Sequence, residues 1–231
     1  MRRTGNCFLP RLILFLALVI ATGNVFSQDL RLGVHFDPLI TWMSTNAPEY
    51  KNEGARAGYS LDLSVLKYFA DNYAFSTGIG FIDAGGRISC TEAHPMVFNN
   101  ASPLVAANDE VVYHLRYLNL PVGFHLNTNQ IGYVTLFTDL GIDFRVLLRS
   151  SVDIPQEQYF DEIAKKEVYG MNMGWHINAG VEYALGRSTA LVAGLGFDED
   201  FFDITKDLSD VEQPDDRSGL KIIRIRLGVM F

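Results

Sequence analysis

The chain has 231 residues, 48% of them hydrophobic, and a formal net charge of -8. That is enough apolar material for one sizeable domain or two small ones, and it excludes a disordered polymer. A pI near 5 with no basic stripe excludes a nucleic-acid binder.

The first segment, "MRRTGNCFLPRLILFLALVIATGNVFSQ", has a basic start at Arg2, Arg3 and Arg11, an apolar run from Leu12 to Ala21, and small or polar residues afterwards. This is the pattern of a secretory signal peptide, so residues 1–27 are expected to be removed and residues 28–231 to form the working domain. The apolar run is shorter than the ~20 residues a helix needs to cross a bilayer core. Cys90 is then the only mature cysteine, so no internal disulfide is expected.

After Gln28 the apolar residues recur at every second position. "RLGVHFDPLITWM" sets Leu32, Val34, Phe36, Ile40 and Trp42 against Arg31, His35 and Asp37. "GYSLDLSVLKYF" sets Tyr59, Leu61, Leu63 and Val65 against Ser60, Asp62 and Ser64, and "YAFSTGIGF" sets Phe75, Ile79 and Phe81 against Ser76, Gly78 and Gly80. "RYLNLPVGFHL" sets Leu118, Leu120, Val122 and Phe124 against Asn119 and His125. "YVTLFTDLGIDFRVLL" sets Leu136, Leu140, Ile142 and Phe144 against Asp139, Asp143 and Arg145. "NMGWHINAGVEYAL" sets Trp175, Ile177, Val181 and Tyr183 against His176, Asn178 and Glu182. "ALVAGLGFD" sets Leu191, Leu195 and Phe197 against Val192, Gly194 and Gly196. The closing "GLKIIRIRLGVMF" sets Ile223, Ile225, Leu227, Val229 and Phe231 against Arg224 and Arg226.

These segments predict eight strands and no amphipathic helix. The linkers alternate long and short: residues 44–57, then "ADN", 85–110, "NTNQ", 150–169, "GRS" and 199–217. Short turns at one end and long polar loops at the other are the asymmetry of an antiparallel up-and-down transmembrane β-barrel, with short periplasmic turns and long extracellular loops. An even strand number puts both termini at the turn end.

A strand face meeting open water would carry many lysines and glutamates. The second faces here carry glycine, serine, asparagine and a sparse set of charges, which describes a narrow interior. The expected lumen set is Arg31, His35, Asp37, Asp62, Asn119, His125, Asp139, Asp143, Arg145, His176, Asn178, Glu182, Arg224 and Arg226. Eight strands enclose a lumen that side chains just fill, so these groups are expected to pair as a polar plug and leave no aqueous pore. Trp42, Tyr59, Phe69, Phe75, Trp175 and Tyr183 lie on apolar faces near strand ends, where an aromatic girdle belongs.

Three other readings compete, a small channel being one of them. A lipid-modifying barrel enzyme would draw on His35, His125 and His176 with Ser60, Ser64 or Ser76, but no GxSxG, HExxH or paired-cysteine metal motif is present. A soluble lipocalin-like binder would turn its apolar faces inward. The acidic segment "DEDFFDITKDLSDVEQPDDRSG" lacks calcium-loop spacing and reads as a solvated loop. The residues give no catalytic, cofactor or metal site.

The stretch "RYLNLPVGFHLNTNQIGYVTLFTDLGIDFRV" resembles the PorT-like outer-membrane β-barrel proteins of Bacteroidota in Tyr117, Leu118, Asn119, Leu120, Pro121 and Val122, followed by Gly132 and Gly141. "DPLITWM" and "NYAFSTGIGF" are similar to the same family, and Asn119 stands where an acidic residue is common in it. The resemblance implies an OmpA/OmpX-like eight-stranded barrel in the outer membrane, inserted by the barrel assembly machinery. It implies lipid as the surrounding partner and an envelope or secretion-system protein as a further one. A terminal aromatic on an alternating strand, Phe231, resembles the signal by which such barrels are recognised for insertion.

Overall fold

The computed structural model describes residues 30–45, 50–91, 93–96, 104–186, 188–205 and 218–231. The expected signal peptide lies outside the described residues.

Among the described residues twelve strands form: β1 (Leu30–Thr45), β2 (Tyr50–Gly54), β3 (Arg56–Ala70), β4 (Tyr73–Cys90), β5 (His94–Pro95), β6 (Leu104–Val105), β7 (Glu110–Asn127), β8 (Val134–Ile154), β9 (Tyr159–Ile163), β10 (Met171–Ala184), β11 (Ala190–Asp200) and β12 (Ser218–Met230). Eight of them, β1, β3, β4, β7, β8, β10, β11 and β12, pair antiparallel in chain order. The ring closes where β12 pairs with β1, placing Val229 opposite Val34 and Arg224 opposite Leu39. Phe231 and Leu32 exchange both backbone hydrogen bonds, at 2.8 and 3.2 Å. Closure leaves no open edge, which lipid would not tolerate. These eight strands are the ones that alternation predicts, and the remaining four are short additions.

The additions and the strand extensions fall inside segments expected to be loops. β4 continues to Cys90, β7 begins at Glu110, β8 runs to Ile154, and β2 and β9 pair with β4 and β8. These extensions raise the wall on the side opposite the short turns.

Along the part of the wall nearer the short turns, Leu32, Val34, Phe36, Leu61, Leu63, Phe75, Ile79, Val122, Phe124, Leu136, Leu140, Leu195 and Leu227 are exposed on the outside. Their polar strand neighbours point inward, which excludes the lipocalin-like arrangement. Aromatics gather at the short-turn end, where Phe69 meets Tyr73 and Phe75, and Tyr133 meets Tyr183. Toward the other end Phe197 meets both Trp42 and Trp175.

The lumen is not polar along its whole length, as a plug of charges would require. Towards the long loops it holds an apolar core that includes Met43, Ile82, Ala84, Ile88, Val111, Tyr113, Leu115, Tyr117, Val152, Ile154, Leu220 and Ile222. Near the short turns a smaller apolar cluster joins Leu66, Ala74, Phe137, Val192 and Met230. Polar side chains occupy the middle. The upper layer follows from the surroundings: above the bilayer the outside of the wall meets water, so the sheet buries its apolar face inward as a soluble barrel does.

β7 displays the change on a single strand. Val111, Tyr113, Leu115 and Tyr117 are buried inside with Arg116 exposed outside; from Leu118 onward Asn119 and His125 are buried inside while Leu120, Val122 and Phe124 are exposed outside.

Candidate functional site: the buried charge ladder

The middle layer is built by inward positions of seven of the eight wall strands. β1 supplies Arg31, His35 and Asp37; β3 Asp62; β7 Asn119 and His125; β8 Asp139, Asp143 and Arg145; β10 Asn172, His176, Asn178 and Glu182; β11 Asp198 and Asp200; β12 Arg224 and Arg226. β4 supplies space instead. A Cβ at Gly80 would collide with the Asp62 carboxylate, so glycine there lets that carboxylate lie against the wall.

The charges alternate up the lumen. At the short-turn mouth Arg31 Nη1 donates to Glu182 Oε2 at 2.7 Å. His125 lies 3.9 Å from the other oxygen of Glu182, and its Nδ1–H donates to Asp139 Oδ1 at 2.6 Å. Arg226 Nη1 donates to Asp139 Oδ2 at 3.1 Å, and its Nε lies 3.5 Å from Asp37. Arg224 Nη1 reaches Asp37 at 3.0 Å, Ser60 at 2.9 Å and Asp62 at 3.2 Å, while its Nη2 donates to Asp198 at 2.7 Å. Arg145 then takes the same Asp198 oxygen at 3.2 Å and binds Asp200 with its other terminal nitrogen. Asn172 Nδ2 completes the top by donating to Asp200 at 2.8 Å.

Two side branches hold Asp143, which accepts from Asn119 at 2.8 Å and from the Nδ1–H of His176 at 2.9 Å. His35 Nε2 and Ser64 Oγ are 2.9 Å apart.

Every residue expected in the lumen therefore points into it, Arg31 at its mouth and the others deeper. Alternation could not assign the partners. Asp62 and Asp139 do meet Arg224 and Arg226, whereas Asp143 is held by Asn119 and His176, and Glu182 by Arg31. Asn172, Asp198 and Asp200 are the ladder members that sequence reasoning missed, the two aspartates because they begin an acidic stretch that reads as a solvated loop. Their signal was the unbroken alternation Phe197, Asp198, Glu199, Asp200, with Asp198 and Asp200 buried and Glu199 not.

Burying this many charges is tolerable only because each finds opposite charge and hydrogen bonds; an unpaired one would cost several kcal/mol. Arg145, 1% exposed, has three carboxylates within 4 Å. The free space between the groups is small. His35, Asn119, Asn178 and Asp198 border a cavity of about 30 Å³, room for about two waters. No group of three or more potential metal ligands occurs among the described residues.

The outer membrane protein beta-barrel domain pattern matches residues 25–206. The chain belongs to this family. As a member it is an outer-membrane protein, its short turns at the periplasmic side and its raised rim outside the cell. No curated protein matches the sequence. Among solved structures, it is similar to a major outer membrane protein from Thermus thermophilus, with 11% identity over 87% of this chain and 98% of that one, TM-score 0.48. Neisserial surface protein A is similar at 13% identity over 86% and 95%, TM-score 0.47. Ail of Yersinia pestis, solved with the heparin analogue sucrose octasulfate, is similar at 9% identity over 88% and 98%, TM-score 0.43.

On the extracellular rim of this outer-membrane protein, Arg149 holds Asp161 of β9, and Asp161 N–H donates to Asp153 at 2.7 Å. A hydrogen bond from Ser151, with Arg149 beside it, keeps the Asp161 carboxyl below the usual carboxylate range. Asp153 also takes His114 at 2.9 Å.

Proposed function

We propose that this protein is a non-enzymatic, non-conducting outer-membrane barrel that works through its extracellular rim and loops, as an envelope or secretion-complex component of the PorT-like kind. The observation that carries this reading is the three-layered lumen. An apolar core above, a neutralised charge ladder in the middle and a second apolar cluster below fill the lumen at three levels, which supports a barrel that does not conduct. The upper core also makes the rim a folded platform continuous with the wall, suited to holding a protein partner in a fixed orientation.

Among the described residues the Ser64–His35 contact favours a lipid-modifying enzyme, since a base stands beside a hydroxyl. His35 is buried among Asp62, Asn178 and Arg226, while lipid meets only the outside of the wall, so the pair supports lumen packing better than catalysis. Native membranes bearing the full chain, cross-linked through cysteines placed on β2 and β9, are expected to yield a discrete envelope-protein adduct. Unchanged mobility of every cross-linked rim variant, or altered lipid A mass spectra on deleting the gene, would overturn the proposal.

A further inference from the structure

The seams between neighbouring wall strands are not equally tight. β1 pairs with β3 at every residue from Leu30 to Thr41, and β10 pairs with β8 without a break from Met171 to Tyr183. The closing seam differs. β1 and β12 pair at Gly33, Val34 and His35 and resume in the same register at Leu39 opposite Arg224, but Phe36, Asp37 and Pro38 do not pair with Leu227, Arg226 and Ile225. β4 and β7 part in the same way at Gly78 and Ile79 against Pro121 and Leu120. Each gap contains a proline.

The chemistry of Pro38 accounts for the gap at the closure. Leu32 and Phe231 exchange both backbone hydrogen bonds, and in an antiparallel ladder every second pair does so. By this count Val34 with Val229, Phe36 with Leu227, Pro38 with Ile225 and Ile40 with Ile223 are the bonding positions. Pro38 has no N–H to give to Ile225. The ladder fails there, and the Leu227 N–H that would go to the Phe36 carbonyl donates instead to Asp37 Oδ1 at 3.1 Å. Asp37 is fully buried, and its other oxygen accepts from Arg224 Nη1 at 3.0 Å and lies 3.5 Å from Arg226 Nε. One carboxylate therefore joins the two strands where their backbones do not. Phe36 and Leu227 are exposed on the lipid side at this level, where no water is available to satisfy a released amide.

We infer that the closing seam is a latched local opening, in which Phe36, Asp37 and Pro38 separate from Ile225, Arg226 and Leu227 while the pairs on either side stay formed, and that Asp37 is the latch. The latch has two separable parts. Its charge holds Arg224 and Arg226, and its Oδ1 holds the Leu227 backbone in place of the bond that Pro38 removes. Opening of this kind is a local event, which costs less than unfolding the ring and is read by exchange of the amides concerned.

The test uses the full-length protein in lipid nanodiscs and follows exchange of single backbone amides by NMR. In the wild type the Leu227 amide is expected to exchange about tenfold faster than those of the uninterrupted β8–β10 seam, the equivalent of one hydrogen bond. Asp37→Ala is expected to accelerate Leu227 by about tenfold more and to leave the β8–β10 amides unchanged. Asp37→Asn, which keeps an oxygen for the Leu227 N–H but loses the charge, should accelerate it far less. Pro38→Val restores the missing donor, so it should slow Leu227 exchange and protect that amide again in the Asp37→Ala background. Heat-modifiable gel mobility verifies that each variant is folded, and Pro38→Val, which leaves every ladder charge in place, carries the test if the Asp37 variants fail this check. Equal exchange of Leu227 and the β8–β10 amides in the wild type, equal acceleration of all seams by Asp37→Ala, or no slowing by Pro38→Val would overturn the proposal.

Discussion

Arg224 donates to Asp198 at 2.7 Å across neighbouring strands in the middle of the lumen, and the same arginine reaches Asp37 and Asp62 on the opposite side of the closure. It is thus the residue through which β11, β12, β1 and β3 share one electrostatic centre. Arg224→Leu is expected to destabilise the folded barrel by about 3–5 kcal/mol, because three carboxylates are left buried with less compensation. Arg224→Lys should recover only part of the loss, since one ammonium cannot span both sides. Urea titration of the refolded protein in lipid vesicles measures both.

Neighbouring positions on β12 separate the two faces. Leu227 is exposed on the lipid side, while Arg226 reaches Asp139 inside. Leu227→Arg is expected to cost about 2–4 kcal/mol of membrane folding stability near the midplane. It should lower the yield of inserted protein. Arg226→Leu should insert, yet unfold at lower temperature than the wild type on a heat-modifiability gel.

The extracellular core stands apart from the bilayer. Leu115 is fully buried within it, next to Met43, Ile82 and Leu220 in the same cluster. Leu115→Ala is expected to destabilise the rim by about 2–5 kcal/mol. Limited proteolysis should then clip the rim while the membrane-embedded part stays resistant; uniform protection would contradict a separately packed core.

Asp161 links the β9 flap to β8 and has a depressed pKa. A depressed carboxylate stabilises its contact fully above the ordinary value of about 4 and loses that contribution as pH falls through its lower folded value. Backbone exchange in Tyr159–Ile163 is therefore expected to accelerate as pH falls below about 4, after correction for intrinsic rates. Asp161→Asn should remove this pH dependence and leave a constant, faster exchange.

The closed lumen also predicts electrical silence. Reconstituted into planar bilayers, the protein is expected to show no steady single-channel steps. Asp139→Ala with Arg226→Ala, which removes one rung of the ladder, should give rare, noisy openings at most, because the apolar layers on either side remain.

Much of this architecture was legible because alternation is insensitive to detail. Eight strands and their two faces follow from period two, the up-and-down order from the alternation of short and long linkers, and the inward face from its small and sparsely charged residues. The rim was not legible, for a physical reason. At Tyr117 and Leu118 the chain keeps its alternation but exchanges which face is apolar, so the lipid-facing pattern stops although the strand continues. The same blindness hid Asp198 and Asp200, whose acidic surroundings suggested water while their phase pointed inward. Ladder partners depend on strand stagger, which joins Arg31 to Glu182 across 151 residues. No local window contains that information.

The ladder has a further consequence for the way the ring is sealed. Sliding β12 against β1 by two residues would keep every apolar side chain facing lipid, so the hydrophobic pattern cannot reject such an error. It would, however, move Arg224 and Arg226 away from Asp37, Asp62 and Asp139 and leave buried charges mismatched. The charges thereby act as a proofreading code for closure: apolar residues tell the last strand which way to face, and the arginines tell it where to stop.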